Sequence, residues 1–349
     1  MIVRGFLTSL LGLLSLGFGL GAGLGECAAA GETPTPVAIQ LSLDRPIDAS
    51  AAPFVLAANR GLFSSEGLAV NTNIASGSLD GIARVAAGTS DLALVDINEL
   101  IRFRDKPGAA PIKAVFVLFN KAPYAIIARR SRGIQVLSDI DGKTLGVAEG
   151  DLAIRLWPAL ARQNGIKAAS VKQSRISAAV REPMLSAGQV DAVTGFSYLS
   201  GVNLSDRGVP AGDLAVLRYA DYGCEAYGFA LIVNPTFAAD KPGAVKGFLR
   251  AVVAGTHLAI KEPGRTVDDV VSRMDGGSRD LELERLRAVI RDNILTAEVK
   301  RNGIGGIDPA RFERSVDQIG EDFKFQKRPS AADIFDDSFL PAPGGRVIN

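Results

Sequence analysis

Few residues in this sequence could make or break a bond. His257 is the only histidine in 349 residues, and Cys27 and Cys224 are the only cysteines. One histidine and, past an N-terminal leader, one thiol supply neither a nucleophile with its base nor the ligands of a usual zinc site. The sequence offers recognition chemistry instead. Asp44, Pro46 and Asp48 fall in a loop after a β-rich run, and Asp96 ends another run. At such places a carboxylate either caps a turn or accepts hydrogen bonds from an amine or an amino-heterocycle. Gly77-Ser78-Leu79 and Gly150-Asp151-Leu152 each open a helix, where unpaired N–H groups favour an anion. Spacing alone reads them rather as ordinary helix starts. Asp151 adds negative charge, which argues against a simple inorganic anion on that side. Phe196 and Tyr198 end one apolar run, and Tyr222, Glu225 and Tyr227 precede another. Aromatic walls with a polar tip suit a flat organic ligand, or the packing between two lobes.

The elements that must position these residues alternate between strand and helix. Apolar runs at 37–43, 68–74, 91–95, 115–119, 124–128, 145–148, 171–176, 191–196 and 229–233 read as strands. Helical runs between them are opened by Ser50 with Pro53, by Ser78 and by Ser177 as caps. Pro158 and Pro183 should kink or split the helices that hold them. Trp157 lies on an apolar stripe and reads as core. After residue 233 the pattern is helical, with Val245, Phe248, Leu249, Val252 and Val253 on one face and Phe312, Val316, Ile319 and Phe323 on another. Such alternation predicts an α/β fold with mostly parallel sheets. Two strands, at 123–128 and 229–234, should cross between two lobes and form a hinge, with the site at the carboxyl ends of the strands. The segment 341–345 reads as a loose tail.

The net charge of +1, without any block of like charges, argues against a nucleic-acid partner. Arg4, an apolar run from Phe6 to Leu24, and the small residues Ala28 and Ala30 read as a signal peptide over residues 1–30. Export to the periplasm follows. Lipid anchoring at Cys27 is the weaker alternative, because Glu26 stands where a lipid-attachment site carries a small residue.

Several segments share a family pattern in order and spacing. They are Pro53 to Phe63 with Glu66-Gly67-Leu68, Gly77-Ser78, Ala87-Gly88 with Asp91-Leu92-Ala93, Leu137 to Val147, Gly188 to Val193, and Arg328-Pro329 with Asp333 to Asp337. Together they resemble the nitrate/sulfonate/taurine and thiamine-pyrimidine type of ABC-transporter substrate-binding protein, across nearly the whole chain after residue 37. The resemblance implies the two-lobed type II periplasmic-binding fold. Lobe one would take residues 31–122 and 229–349, and lobe two residues 123–228. It implies ligand contact at the Gly77 and Gly150 turns, no cofactor, and a monomer that delivers a small organic ligand to a permease in the inner membrane. The ligand would be sulfonate- or taurine-like, or amino-heterocycle- or pyrimidine-like.

Two departures from the thiamine-pyrimidine binders stand out. Asp44-Arg45-Pro46 occupies the place of their Trp-Tyr-Pro, and their pyrimidine-contacting Glu is replaced near Phe229. Fungal relatives of this fold make the pyrimidine with a lysine-bound pyridoxal phosphate and a histidine in the loop after the first strand. Here the loop from Asp44 to Ala52 holds neither residue. The chain is therefore expected to be a receptor and not an enzyme, the alternatives being a ligand-binding sensory module and a pyrimidine-synthase-like enzyme.

Overall fold

A computed structural model describes residues 35–348, so the leader at 1–30 and Cys27 lie outside the described residues. Ten strands follow in chain order: β1 (Val37–Leu43), β2 (Leu68–Ile74), β3 (Leu92–Asp96), β4 (Lys113–Val117), β5 (Tyr124–Arg129), β6 (Thr144–Ala148), β7 (Lys172–Ile176), β8 (Ala192–Phe196), β9 (Leu214–Arg218) and β10 (Phe229–Val233). They form two five-stranded sheets, ordered β2-β1-β3-β10-β4 and β7-β6-β8-β5-β9. The fold is α/β, with helices flanking both sheets.

Each sheet carries one reversed strand. β10 runs antiparallel to both β3 and β4, and β5 runs antiparallel to both β8 and β9. The other four strands of each sheet share one direction, as β1 with β2 and β3, or β6 with β7 and β8. The reversed strands are the two that carry the chain from one sheet to the other. Every residue of β10 is buried, as its unbroken apolar sequence requires.

The long helix Pro242–Lys261 buries Val245, Phe248, Leu249, Val252 and Val253 against the first sheet, with Phe63 and Phe248 stacked 4.9 Å apart. The helix Pro309–Gly320 buries Phe312, Val316 and Ile319 in a core that draws on both sheets and also contains Trp157, Leu160 and Tyr219. Trp157 is core, at 1% exposure.

Several local expectations need correction. Ser50 lies inside the short 3-10 helix Ala49–Ala51, and Asp48 caps it by accepting from Ser50 N at 2.8 Å. Ser177 makes no capping hydrogen bond. β4 ends at Val117 because Leu118 N and Phe119 N both turn to Phe229 O, at 2.9 and 3.0 Å. Pro158 does split its helix, into Leu152–Arg155 and Trp157–Gln163. Pro183 breaks nothing, because it falls in the first turn of the helix Arg181–Ala187, where a missing N–H is harmless. The C-terminal segment is tied down rather than loose. Ile304 N donates to Arg346 O at 2.9 Å, and Arg346 Nη1 donates back to Ile304 O at 2.9 Å.

Candidate ligand-binding cleft

The carboxyl ends of β1, β2, β3, β6, β7 and β8 converge on one cleft between the sheets. β1 delivers Asp44 and Arg45, and β2 delivers Ser76 and the turn at Gly77. The helix Ile97–Arg104 after β3 delivers Glu99. β6 delivers Glu149, Gly150 and Asp151, the segment after β7 delivers Arg181, and β8 delivers Phe196. The cavity they enclose measures about 320 Å³ and is lined from both halves. That is the small end of the range for organic-ligand sites.

Three arginines dominate the lining, and each is aimed by a carboxylate. Arg45 pairs with Asp44 at 2.8 Å, and its Nη1 donates to Tyr198 Oη at 3.3 Å. Its guanidinium also lies over Phe196 and Phe229, 4.7 and 4.5 Å from the ring centroids. Arg155 crosses from the second half to Glu99 at 3.0 Å, and Glu99 is held from behind by Arg102 at 2.9 Å. Arg181 reaches Asp151 at 3.3 Å. Asp151 also caps its own helix, accepting from Ala153 N at 2.9 Å, and accepts from Thr194 Oγ1. With Glu149, the lining carries four carboxylates against three guanidiniums.

A hydrogen-bond chain fixes the first-sheet side of the cleft. Ser78 Oγ donates to Asp44 Oδ2 at 3.1 Å and accepts from Asp96 N at 3.0 Å. Ser78 is thus the first residue of its helix and not the cap. Gly77 holds the cap position with φ +99°, a left-handed backbone that favours glycine. Burial opposes the charge on Arg45, but Tyr198 and Asp44 outweigh it, and its pKa rises. Asp96 is pushed up to about 6 by burial, against hydrogen bonds from Tyr124 and Asn98.

The cleft brings together eight of the residues singled out in the sequence: Asp44, Gly77, Ser78, Leu79, Gly150, Asp151, Leu152 and Phe196. The others do not reach it. Pro46 is exposed beyond the lining, and Asp48 is occupied as a cap. Asp96 and Tyr198 are fully buried behind the surface. Tyr222 packs against the core. Glu225 pairs with Arg314 at 3.2 Å and Arg311 at 3.5 Å. Tyr227 donates to Glu298 at 2.9 Å beneath the Arg311 guanidinium. These last residues anchor the C-terminal helices instead. Arg45, Arg155, Arg181, Glu99 and Glu149 were missed. Arg45 alone had a signal, lying between two acids at the end of the first strand.

The family profile described as NMT1/THI5-like matches residues 48–266. The chain belongs to the NMT1/THI5-like family. Curated relatives include the 4-amino-5-hydroxymethyl-2-methylpyrimidine phosphate synthases of Legionella pneumophila and Schizosaccharomyces pombe. The first is 26% identical over 211 residues, 60% of this chain and 66% of the relative. The second is 25% identical over 227 residues, 63% and 64%. The chain thus spans just under two thirds of the length of these relatives. Among solved structures, the aliphatic sulphonate binding protein of Escherichia coli matches with a TM-score of 0.68 at 16% identity, over 88% of this chain and 94% of that one. The nitrate-binding protein of Synechocystis matches with a TM-score of 0.62 at 12% identity, over 87% of each chain. These likenesses establish the two-sheet binding-protein fold.

The expectation that the chain stands outside the enzymes is corrected, because the curated relatives of this NMT1/THI5-like chain are named as synthases. A lysine-held pyridoxal phosphate does not fit this cleft, whose lining residues include neither lysine nor histidine. His257 sits half-buried on the helix Pro242–Lys261, outside the lining.

Proposed function

We propose that the chain is the solute-binding component of an ABC-type importer, held outside the cytoplasm, and that the cleft takes a small organic ligand bearing both an anionic and a basic or amine-like group. One observation carries this reading. Arg45 from the first half and Arg155 and Arg181 from the second face a single cavity, each pre-set by a carboxylate. Pre-aimed guanidiniums bind a sulfonate or carboxylate through charge-assisted hydrogen bonds without first losing side-chain freedom. Asp44, Glu99 and Asp151 are engaged by the arginines, which leaves Glu149, without a side-chain partner among the described residues, to accept from a cationic or amino group of the same molecule. A zwitterion of the taurine type or an amino-heterocycle with an acidic substituent therefore fits better than a bare anion. A ligand that touches both halves at once stabilises their closed arrangement by its difference in affinity for the two states. Closure is then the signal that a permease reads.

Thermal denaturation of residues 31–349 against alkanesulfonates, taurine, nitrate, aminopyrimidines and amino acids tests the reading. A ligand at about 100 times its Kd should add about 2.7 kcal/mol of stability. Stabilisation by nitrate alone, or by no member of the panel, counts against the organic zwitterion.

The names of the curated relatives favour a second reading, synthesis of a pyrimidine phosphate. Restored growth, without added pyrimidine, of a strain lacking such a synthase would support it.

A further inference from the structure

A second cavity of about 490 Å³ lies between the two halves and shares no lining residue with the cleft. One side is a face of the helix Ser197–Asp206 together with β9, the edge strand of the second sheet. The other is the helix Arg279–Ala288 and the π-helical turn Val289–Ile294 that continues it. A π-turn is a helix irregularity that recurs at functional sites.

Its charge is one-sided. Arg130 and Arg218 enter from the second half, and Arg287 and Arg291 from the first, against two carboxylates, Glu284 and Asp292. Four minus two leaves an excess of two positive charges. Asp292 is already taken, by Arg291 at 2.7 Å and Arg218 at 3.5 Å. Arg130 and Arg287 form no ion pair among the described residues. Ser197, a residue 8% exposed, lines the same cavity, and its buried hydroxyl has no hydrogen-bond partner within the chain. A buried hydroxyl left unpaired destabilises a fold unless something outside the chain completes it.

We propose that this cavity is a second binding site, for a free polyvalent oxyanion of the phosphate or phosphate-ester class. A tetrahedral oxyanion has enough acceptor oxygens to meet guanidinium forks from both walls and the Ser197 hydroxyl together; a halide does not. An anion that neutralises the guanidiniums favours the arrangement of the two halves seen here, and so couples to ligand closure in the cleft.

The test is a calorimetric titration of the whole chain with inorganic phosphate, with chloride balancing the ionic strength. Saturable binding is expected in the parent. The double variant Arg130→Ala/Arg287→Ala should bind at least about tenfold more weakly, since it removes one guanidinium from each wall. Ser197→Ala should weaken binding less, and Arg181→Ala, in the cleft, should leave it unchanged. Both arginines of the double variant are exposed, so an unaltered melting temperature without phosphate confirms its fold. Absence of saturable binding overturns the proposal. So does binding that Arg181→Ala abolishes and the double variant keeps, which puts the anion in the cleft. Co-sedimentation with phosphatidylglycerol vesicles, dependent on Arg130 and Arg287 in a chain indifferent to free phosphate, overturns the free-anion assignment in favour of a lipid headgroup.

Discussion

Arg45 concentrates more interactions than any other residue of the cleft: an ion pair, a tyrosine hydroxyl and two aromatic faces. Replacing it with lysine keeps the charge but loses the planar fork and the stacking, so Arg45→Lys should weaken ligand binding about as much as Arg45→Ala in a calorimetric titration. Asp96 makes a different prediction. Its folded pKa, about 6, lies above the ordinary 3.8, so the native state binds more protons between those values. The contribution of Asp96 to stability should be greatest below about pH 4 and fall as the pH rises to about 6, by on the order of 2–3 kcal/mol. In Asp96→Asn, denaturant unfolding at several pH values should show that slope removed. Acids and glycine turns were legible in the sequence because their positions follow from strand ends. The arginines were not, because an arginine in a loop reads as solvated surface until its partner is known. Arg155 finds Glu99 across 56 residues. Tyr227 and Glu225 read as cleft residues for the same reason, their partners Glu298 and Arg311 lying far along the chain.

At the scale of elements, close approach decides what composition cannot. Gly255 sits inside the helix Pro242–Lys261, where a Cβ would stand 2.3 Å from the Pro53 carbonyl oxygen. Alanine would gain about 1 kcal/mol of helix propensity. It would lose more by forcing the two helices apart, so Gly255→Ala should destabilise by about 1–3 kcal/mol and lower the melting temperature by a few degrees. Gly77 marks the other kind of constraint. With φ +99°, Gly77→Ala strains the turn that carries Ser78 and should weaken ligand binding along with stability. Nine of the ten strands were readable from apolar runs, and the two reversed strands fell where the expected crossings lay; β9, short and only half-buried, was not read. Caps were read less well. Ser50 and Ser78 have the right residue type, but Asp48 and the Asp44–Asp96 network compete for the same hydrogen bonds.

In the whole molecule, the side-chain contacts that join the halves include Arg155 with Glu99 and Arg45 with Tyr198 in the cleft, and Arg285 Nη2 with Asn203 Oδ1 and Arg218 with Asp292 outside it. Asn203→Ala removes one of the outer ties and leaves every cleft residue in place. It should lower ligand affinity only by the closed population it costs, and small-angle scattering without ligand should show a larger radius of gyration. The two-sheet plan was legible from strand–helix alternation and the family resemblance. The shared core of Phe312, Trp157 and Tyr219 was not, because no periodicity reveals which face of a helix meets a distant sheet. The central claim is that one ligand engages both halves of the cleft at once. Calorimetric titration of the best-stabilising panel ligand into the parent, Arg45→Ala and Arg181→Ala tests it most directly. The expected result is a loss of at least about tenfold in each variant, one from each half. Unchanged affinity in either variant would contradict it.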